Sequence, residues 1–193
     1  MRNPKINKLE IDDIRLVKFT KNHLNKRYIE WLNDNEVVKY SEQRHVNHTF
    51  KSCNEFLNNK KINNEYFLAV EYKFDSLWKH VGNIVASLDL HNKTADLSIL
   101  IGDKSIWGQG IGNRSWCLAS LGLIKYENIR LITAGTMSCN KRMIKIFEKN
   151  NMTIDAVLPN RYLFSGKYAD LILASNNKLS VINTAKKNNI FLK

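Results

Sequence analysis

Residues 99–126 read ILIGDKSIWGQGIGNRSWCLASLGLIKY, and the organisation of the chain follows from this stretch. An apolar segment ends at Ile101, a short polar loop follows, and Gly108, Gly110 and Gly112 open a long helical segment. Glycine lets the backbone turn tightly and approach a ligand, and the first amides of a helix are unpaired and bind anions. The stretch therefore predicts a phosphate-binding turn between a strand and a helix.

Two well-defined nucleotide-binding motifs also use glycine-rich turns, and neither fits this one. The dinucleotide fingerprint needs a glycine where Ser115 stands. The ATP-binding loop needs a Lys-Ser/Thr pair that the stretch lacks. A different phosphate-bearing ligand is therefore indicated.

The composition is that of one globular domain, with 193 residues of which 44% are hydrophobic. No apolar run approaches the roughly 20 residues that a membrane span needs, and the first residues, MRNPKINKLEIDD, lack the apolar stretch of a secretion signal. We therefore expect a cytoplasmic protein without a membrane span. The three cysteines, Cys53, Cys117 and Cys139, are widely spaced, so we expect neither a disulfide framework nor a metal site.

The formal net charge is +12, which suits nucleic acid, a membrane surface or an acidic small ligand. The lysines are scattered among asparagines and do not form a basic stripe with interleaved aromatic residues, so a nucleic-acid role is not expected. A basic field also suits a polyphosphate ligand.

Hydrophobic periodicity predicts alternating strands and helices along the chain. Residues 1–175 are interpreted as a single domain and residues 176–193, rich in Asn and Lys, as an accessory tail. Asn151 stands where a helix-ending left-handed residue is expected. The predicted strands are 9–19, 65–72, 81–90, 95–102, 129–135, 153–158, 161–164 and 168–174, and the predicted helices are 21–34, 50–60, the segment after the glycines, and 140–150.

The glycine turn resembles the acyl-CoA loop of the GNAT superfamily of N-acetyltransferases, whose core reads Gln/Arg-x-x-Gly-x-Gly/Ala. Trp107, Gly110 and Gly112 occupy these positions. Trp107 departs from Gln/Arg, but WG-(K/Q/R)-G-(I/Y)-(G/A) is similar to the branch containing ribosomal-protein N-terminal, spermidine and nucleotide-amino-sugar acetyltransferases. The ligand implied by this resemblance is acetyl-CoA.

Other segments carry the same resemblance. Residues 135–152, GTMSCNKRMIKIFEKNNM, resemble the family's AGxxxxNxxSIxxxEKxGF segment, with Asn140 on its asparagine. Residues 28–44, YIEWLNDNEVVKYSEQR, resemble the YLxWLNDPEVxRYLExR segment of members from sugar-biosynthesis clusters. HVGN at 80–83 and GKYAD at 166–170 agree with this branch.

The resemblance implies an α+β fold, with a mixed, mostly antiparallel sheet of about seven strands, splayed central strands and flanking helices. It also implies that the donor thioester oxygen meets a backbone N–H near Leu100 or Ile101, and that the diphosphate lies on the amides of residues 109–113. Lys104 and Lys145 are further candidates for phosphate charges. The implied cofactor-binding residues are Ser98, Ile99, Leu100, Ile101, Trp107, Gly108, Gln109, Gly110, Ile111, Gly112, Asn113, Arg114, Asn140, Arg142, Phe147 and Lys149.

Acetyl transfer to an amine needs positioning, a neutral amine, a donor for the oxyanion and a proton for the thiolate. Asp96, Glu42 and His91 are the candidate bases, and Leu100 is the candidate backbone contact to the oxyanion. Many family members carry a general-acid tyrosine where this chain has Phe147. A thiolate is a good leaving group near neutral pH, so this departure is compatible with an enzyme.

The acceptor remains open between three hypotheses. The first is a nucleotide-linked deoxy-amino sugar, attacked directly in a ternary complex. The second is a protein N-terminus or a polyamine, and the third is a non-catalytic acyl-CoA binding module. The candidate substrate-binding residues are Tyr28, Trp31, Glu42, Arg44 and Tyr168, and a homodimer is a further expectation.

Overall fold

The computed structural model describes residues 5–59 and 64–192. The strands in this part of the chain are β1 (Lys8–Ile11), β2 (Ile14–Lys18), β3 (Glu65–Phe74), β4 (Leu77–Asp89), β5 (Thr94–Ile101), β6 (Leu131–Met137), β7 (Thr153–Phe164) and β8 (Lys167–Asn177). The α-helices are α1 (Lys26–Asn33), α2 (Phe50–Asn59), α3 (Ile111–Glu127), α4 (Lys141–Lys149) and α5 (Lys178–Lys187). Short 3-10 helices cover Glu42–His45 and Lys104–Ile106. Lys60, the predicted end of the second helix, lies outside the described residues.

The eight strands form one sheet in the order β1-β2-β3-β4-β5-β6-β8-β7. All neighbours pair antiparallel except β5 and β6, which confirms the predicted mixed, mostly antiparallel α+β fold. The sheet has eight strands where about seven were expected. The predicted first strand, 9–19, is a hairpin of two strands, and the predicted strands 153–158 and 161–164 form one strand, β7. Asp12 and Asp13 form the turn of the hairpin, a position that aspartate favours.

The parallel contact between β5 and β6 is short. It covers three residue pairs and ends at Asp96–Thr133. Beyond this pair β5 follows β4, with Leu100 opposite Asn83, while β6 follows β8. The central strands therefore diverge, as predicted, and leave a gap between residues 98–101 and β6.

Side chains on the two faces of the sheet form separate apolar clusters. In β5, Ala95 and Leu97 are buried in the larger cluster with Trp116 of α3. In β3, Ala69 is buried on the opposite face in a smaller cluster formed with α1 and α2. Burying each large apolar side chain contributes roughly 1.5–3 kcal/mol. The sheet is thus held between α3 on one face and the α1–α2 pair on the other.

The carboxy-terminal residues pack into the larger cluster. Val181 and Ala185 of α5 and the following Ile190 are buried in it. α5 packs against α3, and Ile190 N donates a hydrogen bond to Ala185 O at 2.8 Å. The segment interpreted above as accessory therefore shares the core of the domain.

Replacing Ile190 with alanine tests this packing. We expect Ile190→Ala to lower the free energy of unfolding by about 2–5 kcal/mol, because it leaves a cavity in the core. The measurement is urea denaturation followed by circular dichroism. The matched control is Phe191→Ala, since this neighbouring side chain is 60% exposed and its loss should change little. Equal stability of the two variants would contradict a core role for the tail.

Candidate active site

The start of α3 is built from glycine and has no side-chain cap. Gly110 precedes the helix with a left-handed φ of 82°, and Gly108 has the same φ. A Cβ added at either position would meet no atom within 4 Å, so backbone conformation is what favours glycine there. The first amides of the helix, at residues 111–113, are consequently available to an anion.

A cleft of about 330 Å³ runs from this helix start along the diverging end of β5. α4 contributes Arg142, Lys145 and Lys149 to its lining. Among the described residues of the lining, the one carboxylate is Glu36. The excess of cations gives the cleft a positive potential, which suits a ligand that carries phosphates.

Trp107 fixes one wall of this cleft. Its indole Nε1 donates a hydrogen bond to Ile101 O at 2.9 Å, which ties the glycine turn to the last residue of β5. The Arg142 guanidinium stacks 4.0 Å from the centre of the Trp107 ring, and its Nη2 lies 3.8 Å from Glu36 Oε1. Trp107 thus orients a cation of the cleft as well as the end of the strand.

A second cavity, of about 490 Å³, lies between α1, α2 and the middle of the sheet. Its lining is apolar and aromatic with a few neutral polar groups. Within the described part of the chain, no Asp, Glu, Lys or Arg side chain lines it. The two cavities therefore differ in electrostatic character, one cationic and one uncharged.

The cleft and the second cavity meet at six residues, which we call the junction: Tyr40, Ser41, Ile99, Leu100, Asn140 and Met143. Asn140 is fixed there by two hydrogen bonds. Its Oδ1 accepts from Met143 N at 3.2 Å, which caps α4, and its Nδ2 donates to Thr136 Oγ1 at 3.0 Å. Asn140 is therefore the N-cap of α4.

Two titratable side chains that line the second cavity, Tyr28 and Cys53, are buried. Burial raises the pKa of Tyr28, and burial likewise raises the pKa of the Cys53 thiol. His48 Nδ1 lies 3.9 Å from Cys53 Sγ. The phenol and the thiol therefore keep their protons near neutral pH and leave the cavity uncharged.

A family model described as an acetyltransferase (GNAT) domain matches residues 13–153. The chain belongs to the GNAT acetyltransferases. The predicted superfamily is confirmed, and the protein is an acetyltransferase that uses acetyl-CoA. No curated protein matches the sequence significantly.

Solved structures show the same GNAT fold. A spermidine N-acetyltransferase from Vibrio cholerae in complex with CoA and spermine has a TM-score of 0.76 at 16% identity, covering 89% of this chain and 99% of that one. A GNAT-family acetyltransferase from Bacillus anthracis gives 0.73 at 15% identity, covering 88% and 98%. A domain from Methanocaldococcus jannaschii gives 0.69 at 20% identity, covering 86% and 99%.

Most of the cofactor-binding residues predicted for this acetyltransferase lie around the cleft. The cleft is lined by Ile99, Leu100, Ile101, Trp107, Gly108, Gly110, Ile111, Gly112, Asn113, Asn140, Arg142 and Lys149. Ser98 lines the second cavity instead. The Gln109 side chain donates to Ser105 O at 3.1 Å and lies outside the described lining of the cleft.

Two predicted cofactor residues have structural partners elsewhere. The Arg114 guanidinium pairs with both carboxylate oxygens of Asp13, with Nη1 3.0 Å from Oδ2. Phe147 is 1% exposed and packs against Trp116 with ring centres 6.2 Å apart. Among the described residues, neither side chain lines the cleft. Arg114 is directed to Asp13, and Phe147 is directed into the core.

The three candidate bases are not brought together. Asp96 lies at the end of the β5–β6 pairing, and Thr133 Oγ1 donates a hydrogen bond to its Oδ2 at 3.0 Å. Desolvation raises the pKa of this carboxyl group. Glu42 is exposed and pairs with Arg44, and His91 is exposed at the β4–β5 turn. In the described part of the chain, none of the three lines the cleft or the second cavity.

The predicted substrate-binding residues also lie in different places and do not form one site. Tyr28 lines the second cavity. Trp31 lies behind it and covers Gly102, where an added Cβ would come within 2.1 Å of the indole. Arg44 donates to Ser41 O at 2.9 Å and so supports the junction from outside. Tyr168 is 74% exposed on β8 and does not line either described cavity.

Sequence reasoning missed Asn83, which lines the second cavity and is 5% exposed. The available signal was a polar residue inside the apolar run VGNIVA of β4, where both faces of the strand are buried. Buried asparagine is uncommon without hydrogen-bond partners. Its partner, His80, stands three residues earlier in the same strand.

We expect Gly110→Ala to weaken CoA binding about tenfold. The left-handed backbone at residue 110 costs a non-glycine residue about 1–2 kcal/mol, which distorts the helix start that presents the amides. The measurement is isothermal titration of CoA.

The matched control for this variant is Gly166→Ala. Gly166 has a φ of 74° in the β7–β8 turn, so its replacement introduces similar strain away from the cleft. Unchanged CoA affinity in Gly110→Ala, with the same loss of stability as the control, would contradict the assigned role of the turn.

We expect stability to fall with acidification through the titration of His80. Burial lowers the pKa of His80 from 6.5 to about 4, so between these pH values the unfolded chain binds the proton more readily. The resulting contribution, about 3 kcal/mol at most, is present above pH 6.5 and is lost as the pH falls toward 4.

The measurement for His80 is the unfolding free energy in urea between pH 7.5 and pH 4.5. His80→Phe should flatten the pH slope relative to the unmodified protein. His91→Gln, which replaces an exposed histidine, should keep it. A slope unchanged by His80→Phe would show that other groups cause the acid sensitivity.

Proposed function

We propose that this acetyltransferase transfers the acetyl group of acetyl-CoA to the primary amine of a nucleotide-linked deoxy-amino sugar. CoA occupies the cationic cleft, and the amino sugar occupies the uncharged second cavity. The reaction takes place at the junction, where the neutral amine attacks the acetyl carbonyl carbon and the carbon–sulfur bond breaks. The proton lost from the nitrogen passes to the departing sulfur, directly or through water, so that the products are the N-acetyl sugar and the CoA thiol. The observation that carries this proposal is the shared junction between one cationic and one uncharged cavity.

The residues around the cleft fit CoA. The amides of residues 111–113 hold the diphosphate, because the glycine turn leaves room for close approach. Gln109, predicted with them, donates its own amide to Ile106 O at 3.3 Å. Lys145, Lys149 and Arg142 balance phosphate charge. Residues 98–101 of β5 have left β6, so their backbone groups are available to the amides of the pantetheine arm. When bound, acetyl-CoA supplies the activated acetyl group as a thioester.

At the junction, the backbone N–H of Ile101 provides the hydrogen bond to the carbonyl oxygen of the donor. The N–H of Leu100 faces β4 instead, because antiparallel bonding alternates along the register in which Gly102 N donates to Val81 O. Such a fixed donor is worth most where negative charge develops during the reaction. The position follows from the strand geometry, since this part of β5 lines both cavities. Holding the two reactants in register there contributes much of the catalytic effect.

The uncharged cavity explains how the amine is kept reactive. An ammonium group loses solvation in an apolar cavity, and no carboxylate in the described lining stabilises its charge, so its pKa falls. The neutral amine that results is the nucleophile. Direct attack in the ternary complex therefore does not require a strong base inside the cavity.

The lining of the second cavity favours a sugar over a polyamine. A polyamine carries several positive charges, which would be buried there without carboxylate partners. A deoxy sugar has neutral hydroxyl groups and an apolar methyl group, matched by Ser41, Gln43 and Thr136 among aromatic and aliphatic side chains. The nucleotide diphosphate stays outside this cavity, where the net charge of +12 favours it.

We expect saturable acetylation of nucleotide amino sugars in an acceptor panel with acetyl-CoA. Spermidine and a peptide with a free amino terminus should give kcat/KM values at least tenfold lower, because a buried charge or a long backbone fits the cavity poorly. Thiol release gives the rate, and mass spectrometry identifies the acetylated product. Preferential turnover of spermidine or of the peptide would overturn the sugar assignment, and CoA binding without any transfer would overturn the proposed reaction.

A further inference from the structure

A buried histidine fixes the orientation of an amide beside the junction. His80 Nε2 lies 2.9 Å from Gly82 O and 2.9 Å from Asn83 Oδ1. A backbone carbonyl can only accept a hydrogen bond, so Nε2 must carry the proton. Burial lowers the pKa of His80 to about 4, which keeps the ring neutral with this single N–H donor.

The proton on Nε2 decides which way the Asn83 amide points. The atom facing His80 must be the oxygen, because two N–H groups cannot bond each other. The Nδ2 group, with its two hydrogens, is therefore turned away from the imidazole. Within the described part of the chain, no hydrogen-bond acceptor contacts this Nδ2.

This donor faces the second cavity. Asn83 is 5% exposed, and it lines the second cavity but not the cleft. In the β4–β5 pairing Asn83 stands directly opposite Leu100 of the junction. Cross-strand partners have Cβ atoms about 4.5–5.5 Å apart, so the amide lies on the acceptor side of the place where the acetyl group is transferred.

We infer that Asn83 Nδ2 donates a hydrogen bond to an oxygen of the acceptor next to its reacting amine, and that His80 is the positioning residue that holds the amide. The inference rests on the proposed function, since it assumes that the acceptor amine enters the second cavity. The acceptor class it assigns is a primary amine with a neutral oxygen, such as a hydroxyl, on the adjacent carbon.

The unpaired donor makes this a specificity device. An acceptor without the adjacent oxygen leaves the buried amide without a partner, and an unmade buried hydrogen bond is costly. We expect roughly five- to tenfold discrimination between two acceptors that differ by this one oxygen. The uncharged lining allows no ion pair that would override the preference.

The experiment compares binding of trans-2-aminocyclohexanol and cyclohexylamine, which share the ring and the amine and differ by one hydroxyl. Affinities are measured by calorimetry on the protein saturated with CoA, so that binding is tested without turnover. The unmodified protein should bind the amino alcohol about five- to tenfold more tightly. Asn83→Ala should abolish that preference, and His80→Phe should reduce it by releasing the amide.

The matched control is Asn92→Ala, which removes an amide from the exposed β4–β5 turn, outside the described linings of both cavities, and should keep the preference. A second measurement does not depend on how the variants fold. In the ¹⁵N-labelled unmodified protein, the side-chain amide signals of Asn83 should shift with the amino alcohol and much less with cyclohexylamine.

Equal binding of the two amines by the unmodified protein, or a preference retained in Asn83→Ala, overturns this inference and leaves the proposed function standing. Failure of both amines to bind also overturns it, while acetylation of nucleotide amino sugars in the acceptor panel separately decides the proposed function. Loss of affinity for both amines alike in Asn83→Ala assigns Asn83 a structural role instead.

Discussion

The divergence of β5 from β6 is the constraint on which the active site depends. Backbone groups in the middle of a sheet are normally paired with a neighbouring strand. Here the parallel pairing ends at Asp96–Thr133. Ile99 and Leu100, farther along β5, border both cavities. The fold thereby leaves strand backbone available to a ligand at the centre of the domain and not at its edge.

The electrostatic character of the two cavities follows from which elements wall them. The cleft lies against α4, whose exposed positions carry Arg142, Lys145 and Lys149. The second cavity lies against the apolar sides of α1 and α2, where Tyr28 and Cys53 belong to the smaller core cluster. Under the proposed function the acceptor enters a site made of core residues, where its charge would be screened poorly and its neutral form favoured.

Local patterns sufficed to predict much of the fold. The predicted strand at 95–102 and the predicted helix after the glycines depend on neighbours in sequence, and the structure has β5 and α3 at these places. Arg114 was misplaced because its partner, Asp13, is 101 residues away in sequence. Phe147 followed the family pattern, but the rotation of α4 directs its ring into the core.

The acceptor side was less predictable because it is assembled from distant segments. Asn83 gains its position only from the register of β4 against β5 and from the tautomer of His80. The candidate base Glu42 lies beside Ser41 and Gln43, which do line the second cavity, yet its own side chain points to solvent. In a 3-10 helix, neighbouring residues point in different directions, so one of three consecutive side chains can face solvent while the other two face a cavity. The spacing of residues in the sequence does not predict which one this is.

The packing of Trp31 on Gly102 has a mechanical consequence. Trp31 belongs to α1, the helix that walls the acceptor cavity, and Gly102 directly follows the strand that carries Leu100. The indole fills the space of the absent Cβ, so the helix and the strand end pack directly against each other. Under the proposed function, an acceptor large enough to push α1 outward would also displace the end of β5 that donates to the carbonyl oxygen. Selection against large amines would then appear in kcat as well as in KM.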